Sequence, residues 1–151
     1  MFIPKSILVP TDFSVYSEAA LMQAVEFSEQ FGSKIHLLHV STQDTDHMPM
    51  FFLDDDKLNE VKKHLNEYNQ QLMDEKIDKF LKGKNVNYEV HFEVGSAYDK
   101  ILSMSKELGV DLIVISSKGK NAIEGFFTGS TTDKVVRKAE CCVFVVKKVI
   151  Q

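Results

Sequence analysis

The sequence predicts an α/β fold: a doubly wound, five-stranded parallel sheet with helices on both faces, Rossmann-like in plan. Two observations predict it. Five short runs rich in Val, Ile and Leu recur along the chain, and the intervals between them carry helical periodicity. Strands that alternate with helices in this way must run parallel, joined by right-handed crossovers that place helices on both faces. A third observation bounds the count. With 151 residues and no repeat, low-complexity tract or linker, the chain reads as one domain over 1–151, long enough to bury a sizeable core.

The strand candidates are Ser6 to Pro10, Lys34 to Val40, Tyr88 to Val94, Asp111 to Ser116 and Cys142 to Lys147. The first, fourth and fifth are almost unbroken apolar runs, the pattern of strands covered on both faces. The third alternates polar and apolar residues, as an edge strand does. The first helix is expected over 17–31, with Ser14 or Ser17 as N-cap and Gly32 as its stop. The second covers 57–81, where Leu58, Val61, Leu65, Tyr68, Leu72, Ile77, Phe80 and Leu81 form a stripe. Asp54, Asp55 and Asp56 precede it and favour a helix N-terminus. Helices over 97–108 and 131–139 complete the order. The segment from Thr42 to Asp56 is the least regular. Its apolar stretch Met48 to Leu53 is expected to pack on the protein's own surface, with a lid or a partner contact as the alternatives.

Composition excludes several classes of function. A net charge of -4 argues against a broad basic face for nucleic acid or anionic membrane. No apolar run approaches the roughly 20 residues of a membrane helix. The start MFIPKSILVP lacks the h-region and cleavage site of a signal peptide. The adjacent Cys141 and Cys142 cannot staple distant parts of a fold, and a reducing cytoplasm suits them.

In a doubly wound sheet, ligands bind beyond the carboxyl ends of the strands, where the winding reverses. Polar residues follow the first strand at Pro10-Thr11-Asp12 and the fourth at Ser116-Ser117-Lys118-Gly119. Gly119 permits close backbone approach or a positive φ, and Gly129 does the same just before a helix whose first N–H groups attract phosphate. Ser130, Thr131 and Thr132 offer hydroxyl donors, and Lys118 and Lys120 bring positive charge. Spacing alone leaves two readings open, a phosphate site or an ordinary glycine turn with a Ser/Thr cap. No Walker A loop, G-x-G-x-x-G, G-x-S-x-G or H-E-x-x-H is present. His36 and His39 sit three apart on one strand and face opposite ways, so they are expected to be structural. His47, His64 and His91 lack ligand partners at useful sequence spacing.

At this point the residues carry a resemblance. ILVPTDFS, HLLHV, VGSAYDKIL, DLIVISSKG and GS…VVRKAECCVFVVK fall in the order of the universal stress proteins, and the chain resembles the single-domain members over its whole length. The ATP-binding branch of that family is similar to G-x2-G-x9-G-[ST]. Here the run is Ser116-x2-Gly119-x9-Gly129-Ser130, with serine in place of the first glycine. The resemblance implies strand order 3-2-1-4-5 and ATP, or AMP or ADP, across the ends of the first and fourth strands. Asp12 would face the adenine side, with Pro10 and Thr11 shaping that wall and the Val40 backbone reading the base. Ile115 and Ser116 would line the ribose. Backbone N–H groups of Gly119, Gly129, Ser130 and Thr131 would hold the phosphates, with Mg²⁺ or Mn²⁺ carried between them and no protein side chain on the metal.

The family pattern further implies a homodimer through the last strand, Val143 to Val146, and a regulatory role in stress response, with room for a regulatory protein partner. No general base is evident, so any ATP hydrolysis is expected to be slow. One rival is a dimeric interaction module that binds no nucleotide. The other is an enzyme on the same fold, whose S-G-G-x-D-S loop is replaced by Pro10-Thr11-Asp12-Phe13-Ser14.

Overall fold

The computed structural model describes residues 1–41, 54–119 and 129–147. The expected elements are all present: β1 (Ser6–Pro10), α1 (Val15–Phe31), β2 (Lys34–Ser41), α2 (Asp55–Phe80), β3 (Tyr88–Val94), α3 (Ala97–Glu107), β4 (Leu112–Ser116), α4 (Ser130–Lys138) and β5 (Cys142–Val146). The Met48 to Leu53 stretch and the middle of the Ser116 to Ser130 loop, Lys120 included, lie outside the described residues.

Local chemistry sets the helix limits. Ser14 caps α1 by accepting from the Ser17 N–H, so the helix starts two residues before the expected Ser17. Gly32 ends it in the left-handed region at φ 74°. Asp54 caps α2 through the Lys57 N–H, and Asp55 and Asp56 fill the first turn, where carboxylates meet the positive end of the dipole.

The five strands pair in the order β3-β2-β1-β4-β5, all parallel. Side chains of each strand alternate between two cores. Ile7 and Val9 of β1, Ile35 and Leu37 of β2, and Leu112 and Val114 of β4 meet Ala20, Leu21, Ala24 and Val25 of α1, with Met73 of α2. Leu8, Leu38, Ile113 and Ile115 face the other way, onto Ile101 and Met104 of α3 and Val135 of α4. Near-complete burial of β1 and β4 explains their unbroken apolar sequences.

β5 departs from that expectation. It lies at the sheet edge, not between covered faces: Cys142 and Phe144 are exposed, and the Phe144 ring packs edge-on against Phe27 at 5.3 Å. An apolar run alone does not separate a strand with two neighbours from one with a single neighbour, and among the described residues β5 pairs only with β4.

α2 is attached sparsely. Met73 is the helix's only buried residue among those described, and Lys76 reaches Glu18 of α1 at 2.5 Å. Burial of Glu18 opposes its ionised form, but the bond and charge of Lys76, helped by Lys79, outweigh that and hold its pKa below the usual value. Truncating the apolar anchor, Met73→Ala, is expected to cost about 2–5 kcal/mol, read as a lower urea midpoint. A loss below about 1 kcal/mol would show that α2 is held by other contacts.

Candidate functional site

The winding reverses between β1 and β4. α1 and α2 cover one face, α3 and α4 the other, so the loops leaving β1 and β4 depart to opposite sides and leave a crevice at their carboxyl ends. The first wall is the turn after β1. Thr11 extends the ladder by donating its N–H to the Leu38 carbonyl at 2.8 Å. Its buried hydroxyl lies 3.1 Å from the Ser17 hydroxyl and accepts from the Phe13 N–H. Asp12 Oδ1 accepts from the Ser14 N–H at 3.0 Å and from the Ser14 hydroxyl at 2.5 Å. Asp12 is thereby fixed by the cap that starts α1. Pro10, half-buried, closes the strand opposite Leu38.

The second wall is the β4 exit. Gly119 comes so near that a Cβ there would lie 3.0 Å from Asp12 Oδ2, so the exits of β1 and β4 lie side by side. The glycine serves close approach: positive φ among the described glycines occurs at Gly32, Gly83, Gly95 and Gly109, not at Gly119. Gly129 likewise uses no positive φ. It is the N-cap of α4 at φ -69° and ψ 158°, and no side chain among the described residues caps that helix. Its N–H donates to the Ser117 carbonyl at 2.6 Å. The next amides, at Ser130, Thr131 and Thr132, belong to the first turn, whose N–H groups have no intrahelical acceptor.

Two expected contributions are altered. Thr132 is buried and donates its hydroxyl to the Ser116 carbonyl at 2.7 Å, which ties α4 to β4 and takes this group off the crevice. Ser116 is buried as well and donates its hydroxyl to the Lys118 carbonyl at 2.7 Å, a bond made within its own loop. Ile115 is a core residue on the α3–α4 face. Val40, at the end of β2, packs its side chain against that same core. The Lys118 ammonium stands 6.0 Å from the Tyr16 ring, at the start of α1.

Sequence reasoning missed two members of this wall. His39 bonds the Thr11 carbonyl at 2.9 Å through Nδ1, which therefore carries the proton in the neutral ring, and it stacks on Phe13 at 4.2 Å. Phe13 holds φ at 65°, the only described non-glycine residue with positive φ, a strained geometry for a bulky side chain. The Phe13–His39 contact joins the ends of β1 and β2, and no local signal announces it. A cavity of 270 Å³ opens beside His39, bounded by Ser41, Asn66, Asn69, Phe92, Glu93 and Val94. A larger hollow of 610 Å³ runs along α2, and among the described residues it is lined by that helix alone.

The histidine expectations need a correction. His36 and His39 do face opposite ways, but His91 is not without a partner: His36 Nδ1 and His91 Nε2 lie 2.9 Å apart. Glu89 stands opposite His36 in the β2–β3 register. Pairing between strands 55 residues apart leaves no trace in local spacing.

The comparisons with known proteins follow the same plan. The model of the universal stress protein family matches residues 4–147. The chain belongs to the universal stress protein family. Universal stress protein MJ0577 of Methanocaldococcus jannaschii is 31% identical to it, with 95% of each chain covered, and the solved structure of MJ0577 superposes with a TM-score of 0.83 over 99% of this chain and all of that one. UspA from Lactobacillus plantarum is 26% identical and gives 0.81, covering 95% and 97%. A universal stress protein solved in complex with cAMP, 19% identical, gives 0.72 over 97% and 98%, a likeness that shows the fold alone. In this universal stress protein no described helix is long and apolar enough to cross a membrane.

Burial pushes the His36 imidazole below its usual pKa of 6.5, and the neighbouring His91 and Lys34 add to this against the opposing charge of Glu89. The unfolded chain therefore takes up this proton more readily than the folded one. Stability from this group is present above the usual pKa and is lost as pH falls through 6.5 towards the lowered folded value. Urea midpoints measured from pH 7.5 down to 5 are expected to fall, and to fall less steeply in His36→Gln. Equal slopes would place the acid sensitivity elsewhere.

Proposed function

We propose that this universal stress protein binds an adenine nucleotide, ATP or its AMP or ADP forms, at the carboxyl ends of β1 and β4, and that occupancy regulates a stress response in the cytoplasm. One observation carries the reading: Gly119, at the exit of β4, is drawn close to Asp12 at the exit of β1, and the start of α4 at Gly129, with no side-chain cap among the described residues, is tied to Ser117 in that same β4 exit. The amides of Gly119, Ser130 and Thr131 suit phosphate oxygens, helped by the helix dipole. The Gly129 N–H, expected among them, already donates to Ser117, so in this reading Gly129 contributes its missing side chain. Asp12, Pro10, Thr11 and the Val40 backbone form the base side, now with Phe13 and His39. Mg²⁺ or Mn²⁺ rides on the phosphates. The cAMP complex of the more distant relative is consistent with an adenine nucleotide on this fold.

Ser116 favours a second reading. Its buried hydroxyl and its place in the family run, where glycine is expected, narrow the ribose side. A member with weak nucleotide affinity would act as an interaction module instead. In both readings the exposed edge of β5, Val143 to Val146, pairs with a second copy, because an apolar open edge invites a strand.

The chain contains no Trp and four Tyr, so its own absorbance near 280 nm is weak and a co-purified nucleotide dominates the spectrum. Gly129→Val is a clean test. Its backbone angles suit valine, and among the described residues a Cβ there meets only the Ser117 carbonyl, at 3.8 Å. The variant is expected to fold normally and to bind Mg-ATP at least 10-fold more weakly, because the valine side chain holds the phosphate away from the Ser130 and Thr131 amides, and each charge-assisted hydrogen bond so lost is worth about 1.5–3 kcal/mol. Retained affinity would remove the phosphate assignment. Absence of nucleotide in repeated preparations and in titration would favour the interaction module.

Sedimentation tests the edge. The expected mass is twice the 17.2 kDa of the chain, falling to a single chain when the exposed Cys142 and Phe144 are both changed to Lys. A monomeric parent protein refutes the pairing.

A further inference from the structure

Away from the crevice, on the α3–α4 side of the sheet, β2 and β3 place three metal-ligating side chains together. Lys34, His36 and Leu38 alternate on one face of β2, and Glu89, His91 and Glu93 on the same face of β3. His36 is 5% exposed, while His91 is partly buried and Glu89 open to solvent. One donor atom from each of His36, Glu89 and His91 lies within 4.8 Å of the others. The two ring nitrogens are 2.9 Å apart, and His91 Nε2 is 3.9 Å from Glu89 Oε1.

We propose that His36, His91 and Glu89 form a binding site for a zinc-like divalent cation, held by His36 Nδ1, His91 Nε2 and Glu89 Oε1 with water completing the shell. Donors at about 2.0–2.2 Å around one tetrahedral ion stand roughly 3.3 Å from each other, a spacing bracketed by the two distances above. The ion takes the place of the single proton now shared between the imidazoles. The ring that carries that proton moves it to its other nitrogen, as the alternative neutral tautomer. Burial of His36 favours the neutral imidazole that a metal requires. Two imidazoles and one carboxylate suit Zn²⁺, Ni²⁺ or Cu²⁺ better than Mg²⁺ or Ca²⁺, which prefer all-oxygen shells. The partial exposure of Glu89 gives the ion a path from solvent.

Lys34 opposes this site. Its ammonium bonds Glu89 Oε2 at 2.8 Å, leaving Oε1 towards His91 but placing a positive charge beside the ion. This makes a sharp discriminator, since a hydrogen-bonded histidine pair without a metal role has no reason to gain metal affinity when Lys34 is neutralised. Metal carried by nucleotide phosphates is a separate matter, so the experiment uses full-length protein stripped of nucleotide.

Zn²⁺ titration by calorimetry at pH 7.5, with Co²⁺ absorption reporting the ligand field, is expected to show one ion per chain. His91→Gln should weaken binding by about 10-fold or more, the loss that even outer-shell changes produce. Lys34→Met should tighten it. His64→Gln, on α2 beside Glu60 and Glu67, should leave it unchanged. Should His91→Gln fail to fold, Glu89→Gln at the solvent-facing position gives the same reading, with imidazole nitrogen shifts of His36 and His91 on Zn²⁺ addition as the direct signature. No saturable uptake, uptake that survives both His91→Gln and Glu89→Gln, or loss of uptake in His64→Gln would overturn the proposal. These outcomes are independent of whether nucleotide binds at β1 and β4.

Discussion

The reversal of winding between β1 and β4 is the constraint on which the rest of the structure depends. Because crossovers are right-handed, a chain that builds β2 and β3 on one side of β1 must carry its next helix over the other face to start β4. That step divides the helices between two faces and the apolar residues of each strand between two cores. It also sends the β1 and β4 exits apart, so a crevice follows from chain direction and not from any single residue. The residues then decide what the crevice holds.

What they provide is a compact set of backbone constraints. Asp12 is fixed by Ser14, Ser14 by its duty as the α1 cap, and Gly119 by the absence of a side chain that would otherwise press on the Asp12 carboxylate. On the far side, Thr132 ties the first turn of α4 to the end of β4. Small residues here act mainly by what they leave open. The first-turn amides of a helix have no acceptor within it, and a glycine without a Cβ lets another group come near. Ser116 runs against this trend, since its hydroxyl fills space that glycine would leave.

The two edges of the sheet differ in chemistry. β5 is short and apolar, with Phe144 exposed. β3 alternates polar residues along its open side and draws Glu89 and His91 towards β2. One fold thus presents three separate chemistries: a backbone-rich crevice at the strand ends, an apolar edge, and an imidazole–carboxylate cluster at the opposite edge. Membership in the universal stress protein family accounts for the shared architecture, and the cluster rests on the residues of this chain.

The sequence by itself determined the element order, because period-two and helical patterning are local and each element carries its own cap or stop, such as Ser14, Asp54 and Gly32. It also determined the glycine and Asp12 positions of the crevice, since they flank strong apolar runs. Tertiary structure alone decided which residues meet across strands. The hydroxyls of Ser116 and Thr132 were legible as donors but not as groups already spent on carbonyls. The Phe13–His39 stack and the His36–His91 pair depend on the register of parallel neighbours. Register is set by the packing of both faces against helices remote in sequence, and a one-residue slip would turn His91 and Glu89 to the other face. No spacing within a single strand encodes that choice.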